Sequence, residues 1–137
     1  MREILEKIYL KEEFNPKVIG LSLPGYFWNK ELHRNLSNLT PKLSGRLLDI
    51  GCGEKPYKCM CNVDEHIGIE IDDGDIKKRT HADVLYDGEV MPFEDKSFDS
   101  ALSSEVLEHV FNPDQFLREL NRVLKTDGLL LITVPFI

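Results

Sequence analysis

The chain has 137 residues, enough for one domain around one hydrophobic core. Apolar residues at 42% and charged residues at 30% argue against disorder, and a net charge of −7 argues against a phosphate-backbone partner. The three cysteines, Cys52, Cys59 and Cys61, are too few and too unevenly spaced for a disulfide scaffold or a four-ligand zinc site, so no metal is expected.

Residues 2–13 set Ile4, Leu5, Ile8 and Tyr9 at helical spacing among charges. Asn15-Pro16 and Pro24-Gly25 bracket an irregular stretch, and a second helix is expected from about Trp28 to Leu39, burying Leu32, Leu36 and Leu39 before Pro41. Tyr26, Phe27 and Trp28 either line the mouth of a ligand site or pack as a hydrophobic staple. Residues 1–45 therefore read as a helical lead-in, and residues 46–137 as the body of a single-domain chain.

From Arg46 the pattern alternates strand and helix. Leu47-Leu48-Asp49-Ile50 reads as a first strand, Ile67 to Ile71 as a second, His81 to Val84 as a short third and Phe98 to Ser103 as a fourth. Between the second and third, Lys77-Lys78-Arg79 reads as a solvated basic turn. Asn112-Pro113-Asp114 is a helix start, with Asn as cap, Pro in the first turn and an acid near the positive end of the dipole. That helix is expected to bury Phe116, Leu117, Leu120, Val123 and Leu124 and to stop at Thr126-Asp127-Gly128. Leu129 to Val134 is an apolar strand with both faces covered. The result is an α/β fold with a mostly parallel, Rossmann-like sheet of about five strands flanked by helices. The longest apolar run, Leu129 to Phe136 with Thr133 inside it, is far too short to span a bilayer. The charged amino terminus has no signal-peptide core, so a cytoplasmic chain without membrane or nucleic-acid partners is expected.

In such sheets ligands bind beyond the carboxyl ends of the strands, where the strand order reverses. The exit of the first strand, Asp49-Ile50-Gly51-Cys52-Gly53, is the candidate, because its two glycines allow a tight turn and close backbone approach. A dinucleotide fingerprint would want a third glycine at position 56, where this chain has Pro56 and so lacks an N–H donor. Asp49, Glu70 and Asp83 all fall at or near strand ends. Carboxylates repel a pyrophosphate and favour a ligand carrying an ammonium and a sulfonium, as S-adenosylmethionine does. Glu70, about 20 residues after the glycine turn, is placed to accept from both ribose hydroxyls. Asp83 is placed to accept from the adenine amino group.

The segments Leu48-Asp49-Ile50-Gly51-Cys52-Gly53, Ile67-Gly68-Ile69-Glu70, Met91-Pro92-Phe93 with Ser97-Phe98-Asp99, Ser104 to Val110, and Arg122-Val123-Leu124-Lys125 with Gly128 stand in order over about residues 46 to 136. Together they resemble the successive motifs of the type-11 branch of class I S-adenosylmethionine-dependent methyltransferases. The resemblance implies methyl transfer to a small-molecule acceptor, with S-adenosylhomocysteine as product. It implies that Gly51 and Gly53 hold the methionine portion, Glu70 the ribose, and Asp83 with the amide of Val84 the adenine, with Asp49, Cys52 and Ile71 also among the cofactor-binding residues. Ser104 and Glu105 would then lie near the reactive sulfonium. The variant Gly53-Glu54-Lys55-Pro56-Tyr57 shortens the first helix relative to that pattern.

Methyl transfer from a sulfonium chiefly needs alignment, so a catalytic base is not obligatory; His109 and Glu105 are the two candidates. The family pattern normally continues through two more strands, so the strand at 129–134 is expected to be a sheet edge. Another copy of the chain, giving a homo-oligomer such as a dimer, or the lead-in would cover it. The alternative to an enzyme is a catalytically silent module that keeps the cofactor fold and has lost acceptor chemistry.

Overall fold

Leu48 and Ile50 point to one side of their strand and Leu47 to the other, and a strand apolar on both faces belongs in the middle of a sheet. A computed structural model describes residues 23–76 and 80–135, with side chains described from residue 30 onward, and places that strand at the centre. The strands are β1 (Arg46–Ile50), β2 (Glu65–Ile71), β3 (Val84–Tyr86), β4 (Phe98–Ser104) and β5 (Leu124–Thr133). They form one sheet in the order β3-β2-β1-β4-β5, with every adjacent pair parallel. The order reverses between β1 and β4, which opens a crevice at their carboxyl ends.

Helix α2 (Pro113–Val123) covers one face. The Asn112 side chain accepts from the Gln115 N–H at 3.2 Å, Pro113 occupies the first turn, and Phe116, Leu120 and Val123 pack on Leu48, Ile50, Ile69 and Ala101. Leu117, expected in this core, is instead exposed, because it follows Phe116 by one residue and so faces away from the sheet. Arg122 ties the helix to the loop before β4: its guanidinium donates to the Met91 and Phe93 carbonyls and to Asp95 and Glu119. The opposite face carries Leu47 and Leu102, packed against Leu36 of helix α1 (Leu23–Leu39) and against Leu43.

Three boundaries differ from expectation. Helix α1 is already helical at Leu23, the first described residue, rather than beginning near Trp28. The third strand runs over Val84–Tyr86 rather than His81 to Val84. Its start is delayed because the Gly68 N–H is taken by the Asp83 carboxylate and not by a carbonyl of the third strand. Helix α2 ends at Val123, and Leu124 already pairs with Phe98 in β5. The pairing then jumps to Ser100 opposite Leu129, so residues 125–128 bulge out where a turn after the helix was expected. Gly128 fits that bulge, since a Cβ there would come within 3.0 Å of the Lys125 carbonyl. The expected helix at residues 2–13, the basic run at 77–79 and the side chains of Tyr26, Phe27 and Trp28 lie outside the described residues. Among the described residues no helix is long and apolar enough to cross a membrane.

Candidate functional site

The turn leaving β1 is held in a left-handed backbone at Gly51 (φ +63°) and Gly53 (φ +49°). At Gly51 the missing side chain admits Val106 from the loop after β4, whose Cγ2 would lie 2.4 Å from a Cβ. Gly53 is different: a Cβ there would meet no atom of the described residues within 4 Å, so among them its backbone borders open space. The turn is pinned from three sides. Gly51 N–H donates to the Ile69 carbonyl (3.0 Å), Gly53 N–H donates to Glu70 Oε1 (2.7 Å), and the Gly53 carbonyl accepts from the Thr80 hydroxyl (2.8 Å) and the His81 N–H (2.9 Å). No long helix follows; the next regular element is a three-residue 3-10 turn, Lys58–Met60.

The three sequence-predicted acids have three different environments. Asp49 is buried, with Oδ2 2.8 Å from Nε2 of His66 on β2. Asp83 Oδ2 accepts from the Gly68 N–H (2.7 Å) and from the Lys55 ammonium. Partial burial works to raise the Asp83 pKa, but Lys55 and the Gly68 N–H outweigh it, and the carboxyl is held below its ordinary value. Among the described residues Glu70 alone of the three has no side-chain partner; its carboxylate accepts from the Gly53 N–H. Sequence reasoning missed Lys55 as a partner of Asp83. Its side chain is only 8% exposed, its backbone is left-handed (φ +56°), and its stem crosses β2 where Gly68 has no side chain. A Cβ at Gly68 would lie 2.5 Å from Lys55 Cε and 2.5 Å from Cys52 Sγ. Cys52 is thereby buried beneath the turn, and burial, reinforced by Asp49, pushes its thiol pKa up to about 12. It is a packing residue, protonated at neutral pH.

Across the crevice, Ser104 and Glu105 leave β4 beside the end of β5. Glu105 has a left-handed backbone (φ +56°), and its N–H donates to both the carbonyl (3.1 Å) and the hydroxyl (3.2 Å) of Thr133. The Thr133 hydroxyl lies 2.9 Å from Glu105 Oε1 and 3.0 Å from Ser104 Oγ. Thr133 escaped the sequence reading; the one signal for it was a polar residue interrupting the apolar run from Leu129. His109, the other candidate base, has an 81% exposed side chain in the 3-10 turn Leu107–His109. Ile71 is exposed at the end of β2, and Val84, half-buried, opens β3. Among the described residues no group of three or more His, Cys, Asp or Glu could hold a metal ion.

A parallel α/β sheet with an open glycine turn at its switch point, a carboxylate at the end of the neighbouring strand and no helix N-terminus for a pyrophosphate defines a nucleoside-binding domain of the class I methyltransferase type. The model of the type-11 methyltransferase-domain family matches residues 48–132, and the chain belongs to that family. An uncharacterized protein of Methanocaldococcus jannaschii is 38% identical over 134 residues, covering 94% of this chain and 53% of that protein. A ubiquinone biosynthesis O-methyltransferase of Maricaulis maris is 32% identical over 111 residues, covering 72% of this chain and 44% of that enzyme. The crystal structure of a S-adenosylmethionine-dependent methyltransferase from Thermotoga maritima, described as a possible histamine N-methyltransferase, superposes with a TM-score of 0.62 at 27% identity, covering 90% of this chain and 59% of that one. The chain thus spans about half the length of the curated relatives it matches. S-adenosylmethionine is the methyl donor such names imply, and the open backbone at Gly53 beside Glu70 fits it.

Proposed function

We propose that the chain is the donor-binding part of a methyltransferase that moves a methyl group from S-adenosylmethionine to a small-molecule acceptor. The observation that carries this reading is Gly53, whose backbone borders open space at the switch point while its N–H is held by Glu70. When bound, S-adenosylmethionine supplies an electrophilic sulfonium methyl and leaves as S-adenosylhomocysteine. Asp49, Gly51, Cys52 and Gly53 form the methionine side, Cys52 acting through its backbone and buried volume. Glu70 and Ile71 hold the ribose, and Asp83 with Val84 the adenine, through the Asp83 oxygen that neither Gly68 nor Lys55 occupies. Ser104 and Glu105 face the sulfonium from β4. Of the two candidate bases, Glu105 is favoured over the solvent-facing His109.

Isothermal titration with S-adenosylmethionine, S-adenosylhomocysteine and a nicotinamide dinucleotide tests the reading. Heat from the two thioether nucleosides and none from the dinucleotide is expected; the reverse pattern would refute it. We propose further that a second copy of the chain covers the exposed Leu129 and Val134 of the β5 region, in a cytoplasmic setting. Sedimentation showing a monomer at all concentrations would remove that partner.

A further inference from the structure

The bonds at the end of β4 have one consistent direction. Thr133 has a single hydroxyl proton, and its oxygen already accepts from the Glu105 N–H (3.2 Å). That proton goes to Glu105 Oε1 at 2.9 Å, so at the 3.0 Å contact with Ser104 it is Ser104 that donates. The chain of donors runs from Ser104 to Thr133 to Glu105, and it ends on one carboxylate oxygen. The other, Oε2, has no partner among the described residues. A charged acceptor with one oxygen tied down is a fixed one, and the left-handed backbone of Glu105 is held there by the same threonine through two N–H contacts. Val106, the next residue, packs on Gly51, so Glu105 follows β4 on the side of the glycine turn away from Glu70 and Asp83.

We infer that Thr133, supported by Ser104, is a positioning residue that presents Glu105 Oε2 to the acceptor, and that the acceptor is therefore a protic nucleophile, an amine or a hydroxyl. This rests on the donor-binding reading above. The balance requires such a group: the nucleophile X–H forms X–CH3 as the carbon–sulfur bond breaks onto sulfur, and the proton lost by X goes to Glu105 Oε2. With the nucleoside spanning β1 to β3, Glu105 stands at the end of β4, on the other side of the switch point, where the acceptor would approach.

Sinefungin tests this without knowledge of the acceptor, because it carries an amino group in place of the sulfonium methyl. Titrations compare sinefungin with S-adenosylhomocysteine on the wild-type chain and on Glu105→Gln, Thr133→Val and Thr133→Ser. Glu105→Gln is expected to lose about tenfold in sinefungin affinity with S-adenosylhomocysteine unchanged, since only sinefungin carries an ammonium at the position of the transferred methyl group. Thr133→Val should show the same selective loss, and Thr133→Ser, which keeps the hydroxyl, should restore the wild-type ratio. Equal losses for both ligands, or a ratio unmoved by Glu105→Gln or Thr133→Val, would overturn the inference while leaving the donor-binding reading intact. A wild-type chain that binds neither nucleoside would sink both.

Discussion

Replacing Gly53 by alanine adds a single methyl group, and the structure separates its two effects. The backbone at Gly53 is left-handed (φ +49°), which costs an L-residue about 1–2 kcal/mol in the folded state. The methyl group itself meets no atom of the described residues within 4 Å, so they add no packing penalty to that figure. Gly51→Ala is the contrast: its backbone has a similar φ of +63°, but its methyl group would lie 2.4 Å from Val106 Cγ2. Overpacking of that kind costs roughly a further 1–3 kcal/mol. Urea melts should therefore rank wild type above Gly53→Ala and Gly53→Ala above Gly51→Ala. Binding should behave differently. If the open space over Gly53 is where the nucleoside's methionine portion lies, the same methyl group becomes an overpacking clash in the complex, worth about 1–3 kcal/mol, or a fivefold to 150-fold loss of affinity. Calorimetry with S-adenosylhomocysteine on folded Gly53→Ala at low temperature reads that loss directly. A folded Gly53→Ala chain that binds as tightly as wild type would show that the space over Gly53 is not the ligand's.

Glu70→Ala removes the carboxylate from the end of β2 and releases the Gly53 N–H; losing charge-assisted hydrogen bonds of about 1.5–3 kcal/mol predicts a roughly 10- to 100-fold weaker nucleoside Kd by calorimetry. Lys55→Met keeps an aliphatic stem over Gly68 but removes the ammonium from Asp83. Because the native Asp83 pKa lies below its ordinary value, the carboxylate contributes stability above that ordinary value, and this is lost as pH falls through the native pKa. The difference in urea midpoint between about pH 6 and about pH 3 should therefore be smaller in Lys55→Met than in wild type, and an identical pH profile would disprove the ion pair's contribution. Cys52, with its thiol pKa at about 12 and its side chain buried, should resist iodoacetamide in the native chain and react on unfolding, read by mass spectrometry of the labelled peptides. Native labelling of Cys52 at the rate of an exposed thiol would contradict its place under the turn.

The parts of the fold set by local chemistry were legible in the sequence. Asn112-Pro113 caps a helix because the asparagine oxygen and the proline ring each satisfy a requirement of the first turn, and the bond to Gln115 follows from spacing alone. β1 was legible because the short run Leu47-Leu48-Asp49-Ile50 is cut off by the turn at Gly51 and Gly53, too short for a helix. What escaped depended on residues far apart in the chain. The start of β3 is set by Asp83 bonding to Gly68, 15 positions earlier, and the bulge at 125–128 by Leu124 pairing with Phe98. At the site, the glycine turn and Glu70 were readable because their spacing is fixed by one strand–turn–strand unit. Lys55 and Thr133 were not, since one required knowing that Gly68 leaves room for a stem and the other that β5 ends beside β4.

The placement of the acids changes the reason for excluding a dinucleotide. Counted along the sequence, Asp49, Glu70 and Asp83 are three negative charges facing the ligand. In the fold, Asp49 is buried against His66 and Asp83 is paired with the Lys55 ammonium, so Glu70 is the one of the three without a side-chain partner among the described residues. Lys55, with its ammonium beside the turn, would even attract a phosphate. What disfavours one is geometry: the chain after Gly53 passes through Pro56 into a three-residue 3-10 turn, and no helix N-terminus presents a row of N–H groups. Charge then acts locally, at two points. In the proposed function Glu70 would select for ribose hydroxyls on one side of the turn, and Glu105, bonded to Thr133, would take the proton of a nucleophile on the other. Two separated carboxylates with separate tasks account for the site better than a diffuse anionic mouth. A diffuse field would favour any cation, whereas two fixed acceptors on opposite sides of a glycine turn favour a nucleoside at one and a proton donor at the other.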